Sequence, residues 1–252
     1  MQLIPLHLPK MDIGTDVPSA VIDSLRRFRS LEGSIIAISS KIVSLDQGRI
    51  VPLDNRVTSP RTRAYAKRYA LPVGFVDLIL RNAKRVYGGV RGALLTETSA
   101  GLIANAGIDR SNVPPGSVAL WPREPWEWAS RLRGTLLRTR SVRALGVLII
   151  DSHCTPRRLG TSGTAVAIAG FRGITDLRGH RDLYGRPLKI TCVNVAGDLA
   201  SAAHLLQGEA DDAKPVTLIR NAPVTFSGAP AKHLTDELAI APTRDLFRDF
   251  HA

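Results

Sequence analysis

One short stretch constrains the fold more than any other part of the chain: residues 147–150, four consecutive apolar residues after Gly146 that run directly into Asp151. A brief, β-branched apolar run of this kind reads as a buried strand. A carboxylate at the end of such a strand is held rigidly and can face a cleft, where ligands of α/β sheets usually bind. The residues that follow carry loop chemistry: Ser152, His153, Pro156, Arg157 and Arg158, then Gly160, Thr161, Ser162, Gly163 and Thr164, before 165–169 resume an apolar run. Hydroxyls, glycine N–H groups and two guanidiniums suit an anion such as phosphate. Turn chemistry favours the same residue types.

The rest of the chain alternates strand and helix patterns without an internal repeat or a low-complexity linker. Residues 1–4 read as an opening strand broken at Pro5 and Pro9. Residues 18–28 read as a helix, with Val21, Ile22, Leu25 and Phe28 on one stripe and Pro18 in its first turn. Residues 34–39 form a strand, followed by the short segment 41–44. One or two helices cover 64–85, interrupted near Leu71 and Pro72, and 93–97 with 101–104 form a hairpin. Residues 125–139 form a helix with Trp126, Ala129, Leu132 and Leu136 on one side. Residues 189–195 and 216–219 are strands, and 198–207 a helix with Asp198 near its positive end. The pattern weakens after Pro223, so the expected division is a domain over 1–224 and a tail or peripheral lobe over 225–252. Mixed elements predict an α/β (mixed α+β) class. Their irregular order gives no Rossmann topology, and without a G-x-x-x-x-G-K-[ST] loop the chain is not a P-loop enzyme.

Bulk numbers narrow the function. The 252 residues suffice for one large domain or two small ones. No apolar run approaches membrane-spanning length, the N-terminus does not resemble a signal peptide, and Cys154 and Cys192 make neither a disulfide framework nor a zinc site. A cytoplasmic protein without membrane association is the expectation. The formal net charge of +12 fits either nucleic-acid binding or polyanionic substrates. The basic residues are scattered rather than blocked, and 5% aromatics leave little for base stacking. An enzyme for an anionic ligand is therefore favoured over a nucleic-acid binder.

Three further stretches carry candidate chemistry. ANAGIDRSN at 104–112 follows an apolar strand and offers Asn105, Asp109, Arg110, Ser111 and Asn112. If its loop meets Asp151, two carboxylates form a site for a divalent cation bridging phosphate oxygens; the plain alternative is a self-satisfied turn. DLRGHRDLYGR at 176–186 alternates arginines with Asp176 and Asp182, as an ion-pair loop also would. At 207–212 Gly208 ends a helix and leaves Glu209 just beyond it. His153 and Cys154 are adjacent in a strand exit and point apart, which disfavours a catalytic pair. His204 reads as packing or surface.

Taken in order, ANAGIDRSNV, the strand ending on Asp151, DLRGHRDLYGRPLKIT and DLASAAHLLQGEAD, with IPLHLPKM and GSIIAISSKIVSLDQGR before them, resemble the coenzyme F420-0:L-glutamate ligase family over about nine tenths of the chain. The resemblance implies a GTP-dependent γ-glutamyl ligase needing Mg2+ or Mn2+, an intertwined homodimer, and a mixed α/β fold of the family's own. It implies F420-0 and L-glutamate as substrates; ligation to another acceptor, such as a folate-like pterin, and a non-catalytic basic nucleotide- or nucleic-acid-binding module are the alternatives. It places Asp109, Asp151, Ser152 and Glu209 on metal-binding positions, with Ser152 for the family's Thr and Glu209 for its usual Gln. It places Leu8, Pro9, Lys10, Met11, Ser40, Asn112, Gln207, Gly208, Ala210 and Asp211 on nucleotide contacts. Arg157, Arg158 and Arg178 are candidates to grip phosphate or the glutamate carboxylates. The sequence departs from the family at Leu45, where a nucleotide-binding Lys is common, and after Asp151, where SHCTPRRLGTSGTAVA replaces a TFGRPWR-like run.

Overall fold

Pairing of the 147–150 run with a second apolar strand organises the molecule, seen in a computed structural model that describes residues 1–56 and 59–246. In chain order the elements are β1 (Gln2–Leu6), α1 (Val17–Ser24), β2 (Ser34–Ser39), α2 (Ser40–Asp46), β3 (Ile50–Pro52), α3 (Pro60–Tyr69), α4 (Val73–Asn82), β4 (Arg85–Val90), β5 (Ala93–Thr98), β6 (Gly101–Ala104), β7 (Ser117–Ala119) and α5 (Pro125–Arg140). There follow β8 (Leu145–Cys154), β9 (Thr161–Ala169), β10 (Ile174–Asp176), β11 (Cys192–Asn194), α6 (Val195–Gln207), β12 (Val216–Arg220) and α7 (Ala231–Asp236).

The main sheet has the order β1-β12-β2-β8-β9, with β2 and β8 parallel and the other pairs antiparallel. Both faces are covered, so β2 and β8 are continuous apolar runs rather than alternating ones. Ile36, Ile38, Val147 and Ile149 face a core shared with α1, α2 and α5, whereas Ile35, Leu148, Ile150 and Ile168 face one completed by α6. The fold is thus mixed α/β, as the alternation of patterns predicts.

Several predicted boundaries move, each for a physical reason. The strand predicted at 147–150 runs on through Cys154, and Asp151 to Cys154 pair in register with Thr164 to Thr161. The polar residues after Ile150 are therefore a two-stranded ladder rather than a loop; backbone pairing overrides their turn-like composition. Pro5 lies inside β1 rather than ending it, because β1 is an edge strand and a missing N–H costs nothing on its open side. The helix predicted at 18–28 stops at Ser24, and the one predicted at 198–207 starts at Val195, where the Asn194 side chain accepts from Gly197 N at 2.9 Å. The predicted strand 189–195 shrinks to Cys192–Asn194. The predicted 64–85 helices are α3 and α4, separated at Ala70 in the left-handed region, and Arg85 already belongs to β4.

Beyond residue 224, α7 lies against β9, with Leu234 fully buried and Thr235 Oγ1 accepting from Ile168 N at 3.0 Å. That contact satisfies a backbone donor on the otherwise open edge of the sheet. Residues 247–252 of the predicted tail lie outside the described residues.

Residues 50–120 build a second layer. The three-stranded β4-β5-β6 sheet, the β3-β7 pair, α3 and α4 close a separate core around Phe75, Val76, Ile79, Leu94, Ile108 and Val118. Backbone bonds at Asp109–Ala119 and from Leu120 N to Arg49 O tie the 105–120 segment to the chain leaving α2. This brings the Asp109 turn over the end of β2.

Candidate functional site

Because β1, β2 and β8 run in the same direction, their C-terminal ends share one edge of the main sheet, together with the starts of β9 and β12. Almost every segment expected to touch nucleotide or metal leaves that edge. Leu8 N donates to Ala213 O at 2.9 Å, joining the loop after β1 to the loop before β12, and Ser39 N donates to Pro215 O at 2.9 Å. Asp151 stands one residue beyond Ile150, which is paired with Ser39, so Ser40 and Asp151 are neighbours.

Asp109 reaches this edge from the second layer. Its turn is forced: Asn105, Ala106 and Gly107 all have positive φ, and Gly107 packs on Trp121 with no space for a Cβ. Asp109, Asp151, Ser40, Lys41, Ser44 and Trp121 line one narrow cleft. Lys41 Nζ lies 2.6 Å from Asp109 Oδ2 and donates to Ser111 Oγ at 2.8 Å. The Ser111 N–H and hydroxyl each donate to Asp109 at 2.8 Å.

The two carboxyls are tuned in opposite directions. Enclosure pushes Asp109 up, but Lys41 and the two Ser111 donors outweigh it and hold the group below the usual carboxylate range. Burial pushes Asp151 up to about 6, against the Ser152 N–H that it accepts at 2.9 Å; the negative charge of Asp109 adds to the shift and Lys41 opposes it. Two carboxyls that share a cleft suit a hard divalent cation, which takes one or two carboxylates and completes its shell with phosphate and water; its charge would favour the ionised form of both.

The four residues expected to hold metal divide into two pairs. Asp151 shares the cleft with Asp109, whereas Ser152 points to the opposite face of the strand. There Ser152 is paired with Gly163, whose missing side chain lets α6 approach at Ala200 and His204. Glu209 belongs to that α6 side: it accepts from Thr161 Oγ1 at 2.8 Å and lies 2.6 Å from His204 Nε2. Among the described residues no three His, Cys, Asp or Glu side chains come together as a ligand set. Over the sheet edge the loops that follow Asp109 and Glu209 are joined, Asn112 Nδ2 donating to Ala210 O at 2.8 Å.

The remaining expected contacts are placed differently. Pro9, Lys10, Ala210 and Asp211 are open to solvent along the edge, and Asn112 and Ser40 border it. Leu8 and Gln207 are buried: Leu8 is a core side chain, and the Gln207 amide donates to Ala37 O at 3.3 Å and Thr217 Oγ1 at 3.4 Å. Met11 packs partly against the same core, and Gly208 ends α6 at a φ of 76° with Asp212 against it. Arg157 and Arg158 are exposed in the β8–β9 turn, at the site edge. Arg178 is elsewhere: it makes a bidentate pair with Asp176 at 2.5–3.0 Å on the β10–β11 ribbon, which joins α6 at the end remote from Glu209. That pair holds Asp176 well below the usual carboxylate range.

Leu45, partly buried on α2, packs against the first core, so this departure from the family pattern adds to packing here. Lys41, one turn earlier on α2, supplies the positive charge to the cleft. Its position just after a buried strand, like that of Asp151, is the signal by which sequence alone marks it. Asn105 and Arg110, which the 104–112 stretch offers together with Asp109, also border it, as does Phe75, which no spacing announces.

The sequence profile of the F420-0:Gamma-glutamyl ligase family matches residues 5–221. The coenzyme F420:L-glutamate ligase of Methanopyrus kandleri is 36% identical over 218 residues, covering 86% of each chain. The protein of that name from Methanothermobacter thermautotrophicus is 36% identical over 93% of this chain and 91% of its own, and that from Methanocaldococcus jannaschii 32% identical over 93% of both. A sheet edge that gathers the expected segments, and a match over most of the chain, agree: this chain belongs to the F420-0:Gamma-glutamyl ligase family.

Proposed function

We infer that the protein is a GTP-dependent ligase that joins a carboxylate of coenzyme F420-0 to the amine of L-glutamate, working with Mg2+ or Mn2+ as a homodimer. Relatives named as glutamate ligases support the formation of a C–N bond. The observation that carries the finer reading is the cleft in which Asp109 and Asp151 face each other beneath the loops of the sheet edge.

A carboxylate does not form an amide in water without activation. In the proposed reaction the terminal phosphoryl group of GTP passes to the substrate carboxylate, giving an acyl phosphate and GDP. The glutamate amine attacks the carbonyl carbon; the C–N bond forms, the C–O bond to phosphate breaks, phosphate leaves with the electron pair, and the amine proton passes to solvent. Divalent cations at Asp109 and Asp151, with Ser152 and Glu209 across the strand, would neutralise phosphate charge. Leu8 to Met11, Ser40, Asn112 and the 207–211 segment frame the nucleotide, the buried members by their backbone. Arg157 and Arg158 bring guanidiniums to the phosphate side of the edge.

The homodimer is supported by the arm between β10 and β11, where Leu183, Tyr184 and Ile190 are 101%, 85% and 87% exposed. Arg178 lies on the same arm, which gives it a route to a second copy's site rather than to its own. No helix among the described residues is long and apolar enough to cross a membrane.

Incubation with GTP, L-glutamate, F420-0 and Mn2+ tests the reading: the product gains one glutamyl unit while GDP and phosphate appear. A folate-like acceptor run in parallel separates the acceptors. Asp109→Ala and Asp151→Ala should each abolish metal-dependent GTP turnover, and wild-type consumption by either variant refutes the site. Light scattering should give twice the mass of the 27.3 kDa chain.

A further inference from the structure

A second, shallow cavity of about 430 Å³, wide open to solvent, borders the Asp109 turn. Phe75, Asn105, Ile108, Arg110, Ser111 and Asp109 itself line it, so Asp109 is common to this cavity and to the cleft with Asp151. Arg110 lies over the Phe75 ring, 4.8 Å from its centroid, and among the described residues it has no carboxylate partner. Two other cations near the edge are engaged, Lys41 by Asp109 and Lys214 by Asp212 at 3.5 Å, while Lys10, Arg157 and Arg158 stand in solvent outside this cavity. Asn105 Oδ1 accepts from Leu94 N at 2.9 Å, while its Nδ2 has no hydrogen-bond acceptor among the described residues.

We propose that this cavity is the subsite for a small dicarboxylic amino acid, L-glutamate in the reaction above, with Arg110 binding one of its carboxylates and Asn105 Nδ2 donating to it. The proposal rests on the ligase reading and deepens it. Glutamate reacts through its amine, so both of its carboxylates stay anionic and need donors that the phosphates and cations do not occupy. An unpaired guanidinium meets a carboxylate in a two-point, charge-assisted fashion. Stacking on Phe75 restrains the guanidinium before the ligand arrives, which lowers the ordering cost of binding. The shared wall at Asp109 places an amine held here next to a carboxylate activated in the cleft.

The test uses the full-length protein and two variants that leave the core untouched. Arg110→Ala removes the guanidinium; Asn105→Asp keeps the Leu94 contact but replaces the donor with a charged oxygen. Both should raise KM for L-glutamate by about ten- to a hundredfold with KM for GTP unchanged. Arg110→Lys should recover part of the loss. Calorimetric titration of L-glutamate into the protein with GDP and Mg2+, which needs no turnover, should show binding by the wild type and its loss in Arg110→Ala. An unchanged KM for glutamate, a rise in KM for GTP or F420-0 instead, or equal calorimetric binding by wild type and Arg110→Ala overturns the subsite. A wild type that binds glutamate at Arg110 yet forms no amide overturns the ligase reading alone, and a wild type that binds no glutamate overturns the subsite.

Discussion

Lys41 and Asp109, on different layers of the molecule, meet at 2.6 Å, the ammonium on the carboxylate that faces Asp151. The lysine thus acts as an internal counter-charge, and the cation of the proposed reaction would compete with it for the same oxygen.

Replacing it tests that relationship. Lys41→Met leaves a partly enclosed carboxylate without its charge partner and should destabilise the metal-free protein by about 1–2 kcal/mol. Added Mn2+ should raise Tm more in the variant than in the wild type, because the ion meets uncompensated negative charge. Equal Mn2+-induced shifts in thermal melts of the two proteins contradict the competition.

Asp151 gives a pH signature. Its folded-state value near 6 lies above its value in the unfolded chain, so the folded state holds its proton more tightly. Its contribution to stability is fully present below the unfolded value, near 4, and is lost as pH rises through 6. Asp151→Asn removes the charge and should therefore be more stable than the wild type above pH 7, by at most about 3 kcal/mol. The advantage should shrink steadily as pH falls towards 4. Melting both proteins across that range checks it; a constant difference sinks it.

Glu209 should be less critical than the Asp109–Asp151 pair. An amide oxygen in Glu209→Gln can still accept from Thr161 and can still ligate a cation, so metal-dependent turnover should fall by less than about tenfold. Asp151→Asn should lower turnover more than about a hundredfold under the same conditions. Parallel titrations with Mn2+ decide between this order and its reverse.

Gly163 is a structural requirement of the same region. A Cβ there would meet the carbonyl of Ala200 and the side chain of His204. Gly163→Ala should push α6 from β9 and cost about 1–3 kcal/mol, read as a lower denaturation midpoint. Because α6 carries the 207–211 segment, nucleotide affinity should fall with it; an unchanged midpoint shows that the helix can shift freely.

Much of this protein is legible in its one-dimensional pattern. Apolar runs at 34–39, 147–150 and 216–219 mark central strands because both sheet faces are covered, so a buried strand is mostly apolar and a polar residue in it, such as Thr217, needs a hydrogen-bond partner. The helix at Pro125 declares itself by its stripe, and Asp109 and Asp151 by following strands. Tertiary structure alone decided where those strands stop and which faces their neighbours take. Pairing with β9 extends β8 through residues that read as a loop, and strand alternation then sends Ser152 to the α6 side, where Glu209 follows the end of that helix, while Asp151 stays with Asp109. The Lys41–Asp109 contact and the Arg110–Phe75 stack join segments distant in the chain. Local propensity records which residues favour strand or helix; which side chains share a cleft depends on register, face and the docking of one layer on another, and those are settled only when the chain is packed.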